Sequence, residues 1–181
     1  MLFIINIIVG DNMKKIIVFL FAFMIITIGI NETENIIIPK DAIRFRIIAN
    51  SNSTNDQKLK LTVKNDVEKE LYNLVEKAST TKEARAIIEN NLDKVDSILK
   101  KYDVQYEINY GNNYFPQKTY KGITYEEGNY ESLVIKLGNS LGDNWWCVLF
   151  PPLCKLDKNQ NLNENEYRIL AYDLINNVSK K

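Results

Sequence analysis

Apolar and polar residues alternate along this chain with two periods, and the period changes where turn-forming residues occur. The first alternating stretch places Ile43, Phe45 and Ile47 on one side and Arg44 and Arg46 on the other. A period of two is typical of a half-buried strand. We therefore expect the two arginines to lie on a solvated face or to pair with acidic residues of the helices.

Two stretches with helical spacing follow the first strand. The first begins at Thr54, which has capping-box spacing with Gln57, and its apolar stripe continues to about Ala78. A second capping box at Thr80 opens another helix that runs to about Tyr102. Because the connection is short, the two helices are predicted to form an antiparallel hairpin.

The period then returns to two, which predicts further strands. Alternation is clear at 104–110 and at 130–137, whereas 115–125 is interrupted by proline and glycine and predicts at most one edge strand. Turns are predicted at 112–113 and at 127–129, which are rich in Asn and Gly.

Residues 145–150 are apolar on both sides, which is typical of a buried strand, and Pro151-Pro152 end it. A polar linker at 155–163 leads to a last helix, capped by Asn163 together with Glu166. This order of elements predicts an α+β fold. We expect a single antiparallel sheet of about four to five strands, with the helical hairpin after the first strand and the C-terminal helix packed on it.

The N-terminal part has the pattern of an export signal. Lys14 and Lys15 precede an apolar run, Ile16 to Ile30, of about 15 residues, a length typical of a secretory signal and short for a membrane span. The best cleavage site, Thr27-Ile28-Gly29, is a poor one, so an uncleaved anchor stays an alternative. Met13 is a second candidate for the true start.

These patterns divide the chain into three parts. Residues 1–30 are the predicted leader, 31–41 a spacer, and 42–178 a single globular domain, a length that suits one hydrophobic core.

Composition excludes several classes of function. The chain has 23 basic and 23 acidic residues and no histidine. The balanced charge disfavours a nucleic-acid-binding protein, and the lack of histidine excludes His-based triads, Cys-His dyads and HExxH zinc sites. We therefore predict no catalytic residue, no cofactor and no metal site.

The two cysteines lie symmetrically about one proline bond. Cys147 and Cys154 are equally far from the bond between Phe150 and Pro151, and a chain reversal there would bring their Cα atoms to about 6 Å. In an exported protein this predicts a structural disulfide; two buried free thiols are the alternative.

The two tryptophans are adjacent, and a strand would direct Trp145 and Trp146 to opposite faces. One would belong to the core. The other would contact a partner or be covered by helices, and the sequence does not decide between these two outcomes.

Several segments resemble one known family. They are IRFRIIANSNS at 43–53, DQKLKL at 56–61, FP at 115–116, GNYESL at 128–133 and GDNWWCVLFPPLC at 142–154. Together they are similar to the stage II sporulation protein R family, over roughly residues 42–155. The last segment consists largely of rare residue types, so it is the most specific.

The resemblance implies a signalling protein of endospore formers rather than an enzyme. Such a protein is made in the forespore and exported into the space between forespore and mother cell. There it acts on the outer domain of a membrane-embedded aspartic protease, which then processes the sigma-E precursor in the mother cell. The leader would supply the only membrane contact, as a secreted or N-terminally anchored protein.

For a protein of this kind we predict two partner-binding surfaces. The first comprises Arg44 and Arg46 with the turn residues Asn50, Ser51 and Asp56. The second comprises Trp145, Trp146, Pro151 and Pro152.

Two other functions stay open at this point. One is an extracytoplasmic cell-wall hydrolase that uses carboxylates such as Glu131, or Ser51 or Ser53 paired with Lys58 or Lys60. The other is a wall-binding module that uses the tryptophans.

Overall fold

The computed structural model describes residues 13–21, 36, 38–157 and 162–179. It divides into two units, Met1–Asn35 and Ile36–Lys181. In the first unit residues 13–21 are helical, and the predicted cleavage site lies outside the described residues. Among the described residues, no helix combines the length and the apolar character needed to cross a membrane.

The second unit has the predicted α+β composition. In chain order its elements are β1 (Ile43–Ile48), α1 (Thr54–Val75), α2 (Thr81–Glu89), α3 (Leu92–Leu99), β2 (Tyr106–Phe115), β3 (Lys118–Tyr120), β4 (Ile123–Tyr125), β5 (Gly128–Leu137), β6 (Asn144–Phe150), α4 (Cys154–Asp157) and α5 (Glu164–Ser179).

Four strands form the main sheet, in the order β2-β5-β1-β6. Strand β1 is antiparallel to β6 but parallel to β5, with Phe45 opposite both Cys147 and Leu133. The sheet is therefore mixed rather than antiparallel throughout, because the helical crossover between β1 and β2 lets β5 approach β1 in the same direction. Strand β6, predicted to be buried on both sides, lies at the edge of the sheet.

Both faces of the sheet are covered at β1, whereas Glu107 and Asn109 of β2 are exposed. On one face, Phe45 and Leu133 pack against α1, α2 and α3, for example against Val67 and Ile88. On the opposite face, Val148 packs with side chains of the β3–β4 hairpin and of α5. Strand β1 therefore has side chains packed on both faces, with only Arg46 and Ile48 half-buried among its residues, instead of the single covered face that its alternation predicts.

The predicted turn at Asn112-Asn113 is wrong. Strand β2 continues through both residues because it pairs with β5 along its whole length, with Asn113 opposite Tyr130. The Asn113 side chain also donates to Ser132 Oγ at 3.0 Å. The turn predicted at 127–129 is likewise replaced by the start of β5. Long-range pairing here outweighs the local preference of Asn and Gly for turns.

Other boundaries differ from the prediction for local reasons. The second predicted helix breaks at Asn90-Asn91, where the Asn91 side chain donates to the carbonyl of Ile87. The stretch predicted as one edge strand is a separate hairpin, β3–β4, which turns at Lys121 and Gly122 with positive φ angles.

The predicted helix starts are largely confirmed. Thr80 Oγ1 accepts from the Glu83 N–H, and Asn163 and Glu166 cap each other reciprocally at 3.0 Å. Helix α1 is capped by Ser53, one residue before the predicted Thr54. The predicted polar linker begins with the short helix α4.

Candidate partner-binding site

The disulfide that the sequence predicts is present. Cys147 and Cys154 are bonded, with their Cα atoms 5.4 Å apart, and both are buried. The chain reverses at the cis bond between Phe150 and Pro151, so Pro151 and Pro152 form the predicted corner, Pro151 buried and Pro152 half-buried. The sulfur of Cys154 lies 3.0 Å from the carbonyl oxygen of Val148, a contact without a proton because the sulfur is oxidised.

The two tryptophans project to opposite faces of β6, as predicted, but neither is a core residue and neither is fully exposed. Trp145 meets the edge of Phe45 at 5.9 Å between ring centroids. Trp146 meets Tyr125 at 5.1 Å and Phe115 at 5.6 Å. Both are half-buried, so each keeps one side open.

A groove of about 410 Å³ runs along the outer side of β6, between α1 and the β3–β4 hairpin. Its lining joins both tryptophans to aromatic and basic side chains. The lining residues are Leu61, Lys64, Asn65, Lys118, Tyr120, Tyr125, Trp145, Trp146, Cys147, Val148, Leu153 and Tyr167. No acidic residue lines the groove within the described part of the chain, so its charged groups are lysines.

Each tryptophan of the groove has a cation close to its ring. The ammonium of Lys64 is 4.3 Å from the Trp145 ring centroid, and it also pairs with Glu68 at 2.7 Å. The ammonium of Lys118 is 5.5 Å from the Trp146 ring centroid. Cations attracted to ring faces keep positive charge beside both aromatic surfaces.

Arg44 is not on a solvated face, and that expectation is wrong. Its side chain is 0 % exposed, and its guanidinium lies 3.4 Å from the ring centroid of Tyr130, 5.0 Å from that of Phe115 and 5.1 Å from that of Trp146. None of its three nitrogens has a hydrogen-bond partner among the described residues. Burial lowers the pKa of Arg44, and the nearby phenol groups of Tyr130 and Tyr125 partly oppose this effect.

Arg46 lies on the same face but is only half-buried. Its Nη2 donates to the carbonyl oxygen of Tyr114 at 2.6 Å, and its guanidinium lies 3.8 Å from the Phe115 ring centroid. Burial lowers the pKa of Arg46. Both arginines thus contact β2 across the sheet.

The turn residues of the first predicted surface bond to one another. The side-chain amide of Asn50 donates to Asp56 Oδ2 at 3.0 Å, and the hydroxyl of Ser51 donates to the same oxygen. Asn50 Oδ1 in turn accepts from the backbone N–H of Asn139 at 2.9 Å. The bonds from Ser51 and Asn50 hold the pKa of Asp56 below its usual value.

The network extends to the start of β6 through residues that sequence reasoning missed. Asn52 Oδ1 accepts from the N–H of Asp143 at 2.6 Å, and buried Lys60 donates to the Asp143 carbonyl at 3.0 Å. The sequence contained a signal for the burial of Lys60, because this residue lies three positions before Val63 and so falls on the buried face of α1. The groove lysines carried no such signal, because they meet the tryptophans only through tertiary packing.

The two predicted surfaces therefore differ in character. In the turn, the side chains of Asn50, Ser51 and Asp56 form hydrogen bonds with other groups of the same domain. Trp145 and Trp146, in contrast, line an open groove. Within the described residues no cluster suited to a metal ion occurs. Contact of either surface with a partner stays a prediction.

Comparison with known proteins identifies the family. Residues 39–160 match the family described as stage II sporulation protein R. This chain belongs to that family. It is 40 % identical over 133 residues to stage II sporulation protein R of Bacillus subtilis (strain 168), a match that covers 70 % of the chain and 59 % of that relative. No solved structure matches the chain.

The aromatic rings around Arg44 should make its side chain important for stability in this member of the stage II sporulation protein R family. We expect Arg44→Ala to lower the free energy of unfolding by about 2–4 kcal/mol, because it leaves a cavity beneath three rings. Arg44→Met, which refills the space without a charge, should lose less than half as much. Urea denaturation measures both; equal losses would contradict the packing explanation.

Asp56 should make the stability of the domain depend on pH. Its pKa is lowered in the folded state, so its contribution is present above the unfolded value, about 4, and is lost as pH falls through the folded value. The wild-type protein should therefore lose more stability than Asp56→Asn between about pH 5 and pH 2. Thermal melts of both proteins across this pH range test the prediction. If the two melting temperatures fall in parallel as pH is lowered, the prediction is contradicted.

The disulfide should stabilise the domain by closing an eight-residue loop. A chain-entropy estimate gives about 2–3 kcal/mol. The variant with both Cys147→Ser and Cys154→Ser should unfold at a correspondingly lower urea concentration. A reducing agent should lower the urea midpoint of the wild-type protein but not that of the variant. If reductant shifts both proteins equally, the bond is not the source of the effect.

Proposed function

We propose that this chain is an exported sporulation signal that activates a membrane-embedded aspartic protease and so leads to processing of the sigma-E precursor. The family match over residues 39–160 is the observation that carries the sporulation role. The finer role follows from what the family resemblance implies, together with the leader pattern at 1–30 and an open aromatic groove suited to a protein partner.

The residues named for a hydrolase are occupied elsewhere, which favours the signalling role. Glu131 accepts three bonds from Arg85, at 2.6, 2.8 and 3.0 Å, and one from the Tyr110 hydroxyl at 2.6 Å. Arg85 is the main cause that lowers the pKa of Glu131, whereas a catalytic acid needs a raised pKa.

The side chains of the serine–lysine pair are also bonded to other groups. Ser51 Oγ donates to Asp56, and the ammonium of Lys60 is held by Gln57 Oε1 at 2.6 Å and by the Asp143 carbonyl. Neither group is bonded to the other, so neither is prepared to activate a nucleophile.

Activation by binding requires a preference for one state of the partner. A ligand shifts a two-state equilibrium only by its difference in affinity for the two states. Moving a protease from about 1 % to about 99 % active takes roughly a 10⁴-fold preference. A rigid domain, held by a disulfide and by packing on both faces of β1, presents such a surface without further ordering.

Co-expression tests the role directly. The full chain, the protease and the sigma-E precursor are expressed together in a host that does not sporulate, and precursor cleavage is followed by immunoblot. We expect cleavage only when all three proteins are present, and a chain without residues 1–30 should fail because it stays on the wrong side of the membrane.

A matched control separates export from any other role of the leader. Replacing residues 1–30 by an unrelated secretory signal should restore cleavage. Full cleavage by a leaderless chain retained in the cytoplasm would refute the proposed route. Turnover of isolated cell wall by the purified chain would instead support a hydrolase.

A further inference from the structure

The outer edge of β6 has backbone groups that no described residue pairs. Strand β6 is the last strand of the sheet and, among the described strands, pairs only with β1. In an antiparallel pair, opposed residues that bond to each other alternate with residues whose backbone groups face away. One assigned hydrogen bond between β1 and β6 therefore determines which residues of β6 point their backbone N–H and C=O groups towards β1 and which point them away.

That bond joins the ends of the two strands. The N–H of Ala49 donates to the carbonyl of Asp143, one step beyond the pair formed by Ile48 and Asn144. Continuing the alternation, Trp145 and Cys147 bond to β1, whereas Asn144, Trp146 and Val148 turn their backbone groups outward. The contact between the Val148 carbonyl and the sulfur of Cys154, outside the ladder, agrees with this assignment.

The disulfide corner covers only the C-terminal end of this edge. The sulfur of Cys154 contacts the carbonyl oxygen of Val148 and shields it from a partner strand. The backbone groups of Asn144 and Trp146, in contrast, have no partner in the described part of the chain. Proteins usually protect a free edge with charges, prolines or bulges placed on it. Here the open part carries Asn144, Trp145 and Trp146, none of which is charged.

The groove beside this edge is lined by apolar, aromatic and basic side chains from the elements that flank the strand. Leu61 of α1 and Tyr120 of the β3–β4 hairpin stand on its two sides and are 48 % and 39 % exposed. Its volume of about 410 Å³ lies in the range of ligand-binding clefts. Lys118, whose ammonium lies 5.5 Å from the Trp146 ring centroid, supplies positive charge on the hairpin side of the edge. On the α1 side, the charge of Lys64 is balanced by its ion pair with Glu68 at 2.7 Å.

We propose that the β6 edge from Asn144 to Val148 binds an extended acidic segment of a partner protein by strand addition. The backbone groups of Asn144 and Trp146 pair with the segment. Its alternate side chains contact Trp145 on one face and Trp146 on the other, and its carboxylates approach Lys118. That the partner is the membrane protease rests on the proposed function; the binding mode does not.

A second copy of this chain is a poorer occupant. Two β6 edges paired about a two-fold axis would bring Lys118 of each copy to the same side of the joined sheet. Like charges across a pair are destabilising, whereas an acidic strand gains from Lys118.

Peptide selection on the full chain, purified in mild detergent, tests the proposal. The probe is a random twelve-residue peptide library displayed on phage. We expect selected peptides to alternate acidic with apolar residues. Synthetic copies should bind at least tenfold more weakly when alternate backbone nitrogens are methylated, because each methyl removes a strand-pairing donor.

Matched variants locate the binding edge. Asn144→Pro removes one outward N–H without touching the bonds to β1, and Asn144→Ala retains it. Binding to the proline variant should be at least tenfold weaker than to the alanine variant. Lys118→Glu should weaken binding severalfold, whereas Lys69→Glu, on the exposed surface of α1, should not.

Three results would overturn the proposal. They are the absence of any enriched peptide, enriched peptides without acidic residues, and equal binding to Asn144→Pro and Asn144→Ala. A dimer in analytical ultracentrifugation that dissociates in Asn144→Pro would assign the edge to a second copy instead. If Asn144→Pro does not fold, the methylated peptides on the wild-type chain still decide, and none of these measurements depends on protease activation.

Discussion

The packing of Arg44 beneath aromatic rings is the contact on which the sheet depends. The residue lies on the central strand, yet its guanidinium touches rings from each of the other strands of the main sheet: Phe115 of β2, Tyr130 of β5 and Trp146 of β6. Burying a cation without hydrogen bonds costs free energy. Here the attraction between the guanidinium and the faces of the aromatic rings offsets part of that cost. One side chain thus fixes the position of Trp146, and with it one wall of the groove.

Strand β6 is held at both ends and left open between them. At its start, the network from Asn50 to Asp143 bonds the first turn of the domain to the strand. At its end, the disulfide and the Pro151–Pro152 corner bind the chain to itself. Rigid ends allow the middle of an edge strand to stay unpaired and still keep a defined shape, which a docking strand requires to bind without a large loss of entropy.

The two predicted binding surfaces are parts of one arrangement. The turn at Asn50 to Asp56 uses its polar groups internally, and glycine is required where the two segments meet, because a Cβ at Gly138 would overlap the Asn50 side chain. Substitutions in this turn therefore act on β6 through the network. A loss of the proposed activation on such a change would not by itself place the turn in contact with a partner, whereas a loss caused by a change confined to the outer side of β6 would.

Local patterns in the sequence determined much of this protein. The alternation of Ile43, Phe45 and Ile47 predicts a strand, the capping boxes at Thr80 and Asn163 predict helix starts, and the symmetry of the cysteines about Phe150-Pro151 predicts a disulfide. Each prediction depends on residues close in the chain, and the strand, the helix starts and the disulfide are confirmed, although β1 is covered on both faces and not half-buried. Tertiary structure decided the rest. Arg44 is buried because Tyr130 and Trp146, about 90–100 residues away, close over it, and β2 passes through Asn112-Asn113 because β5 pairs with it. The edge position of β6 likewise follows from strand order, which periodicity does not encode, since a strand's apolar pattern does not say which elements pair with it or pack on it.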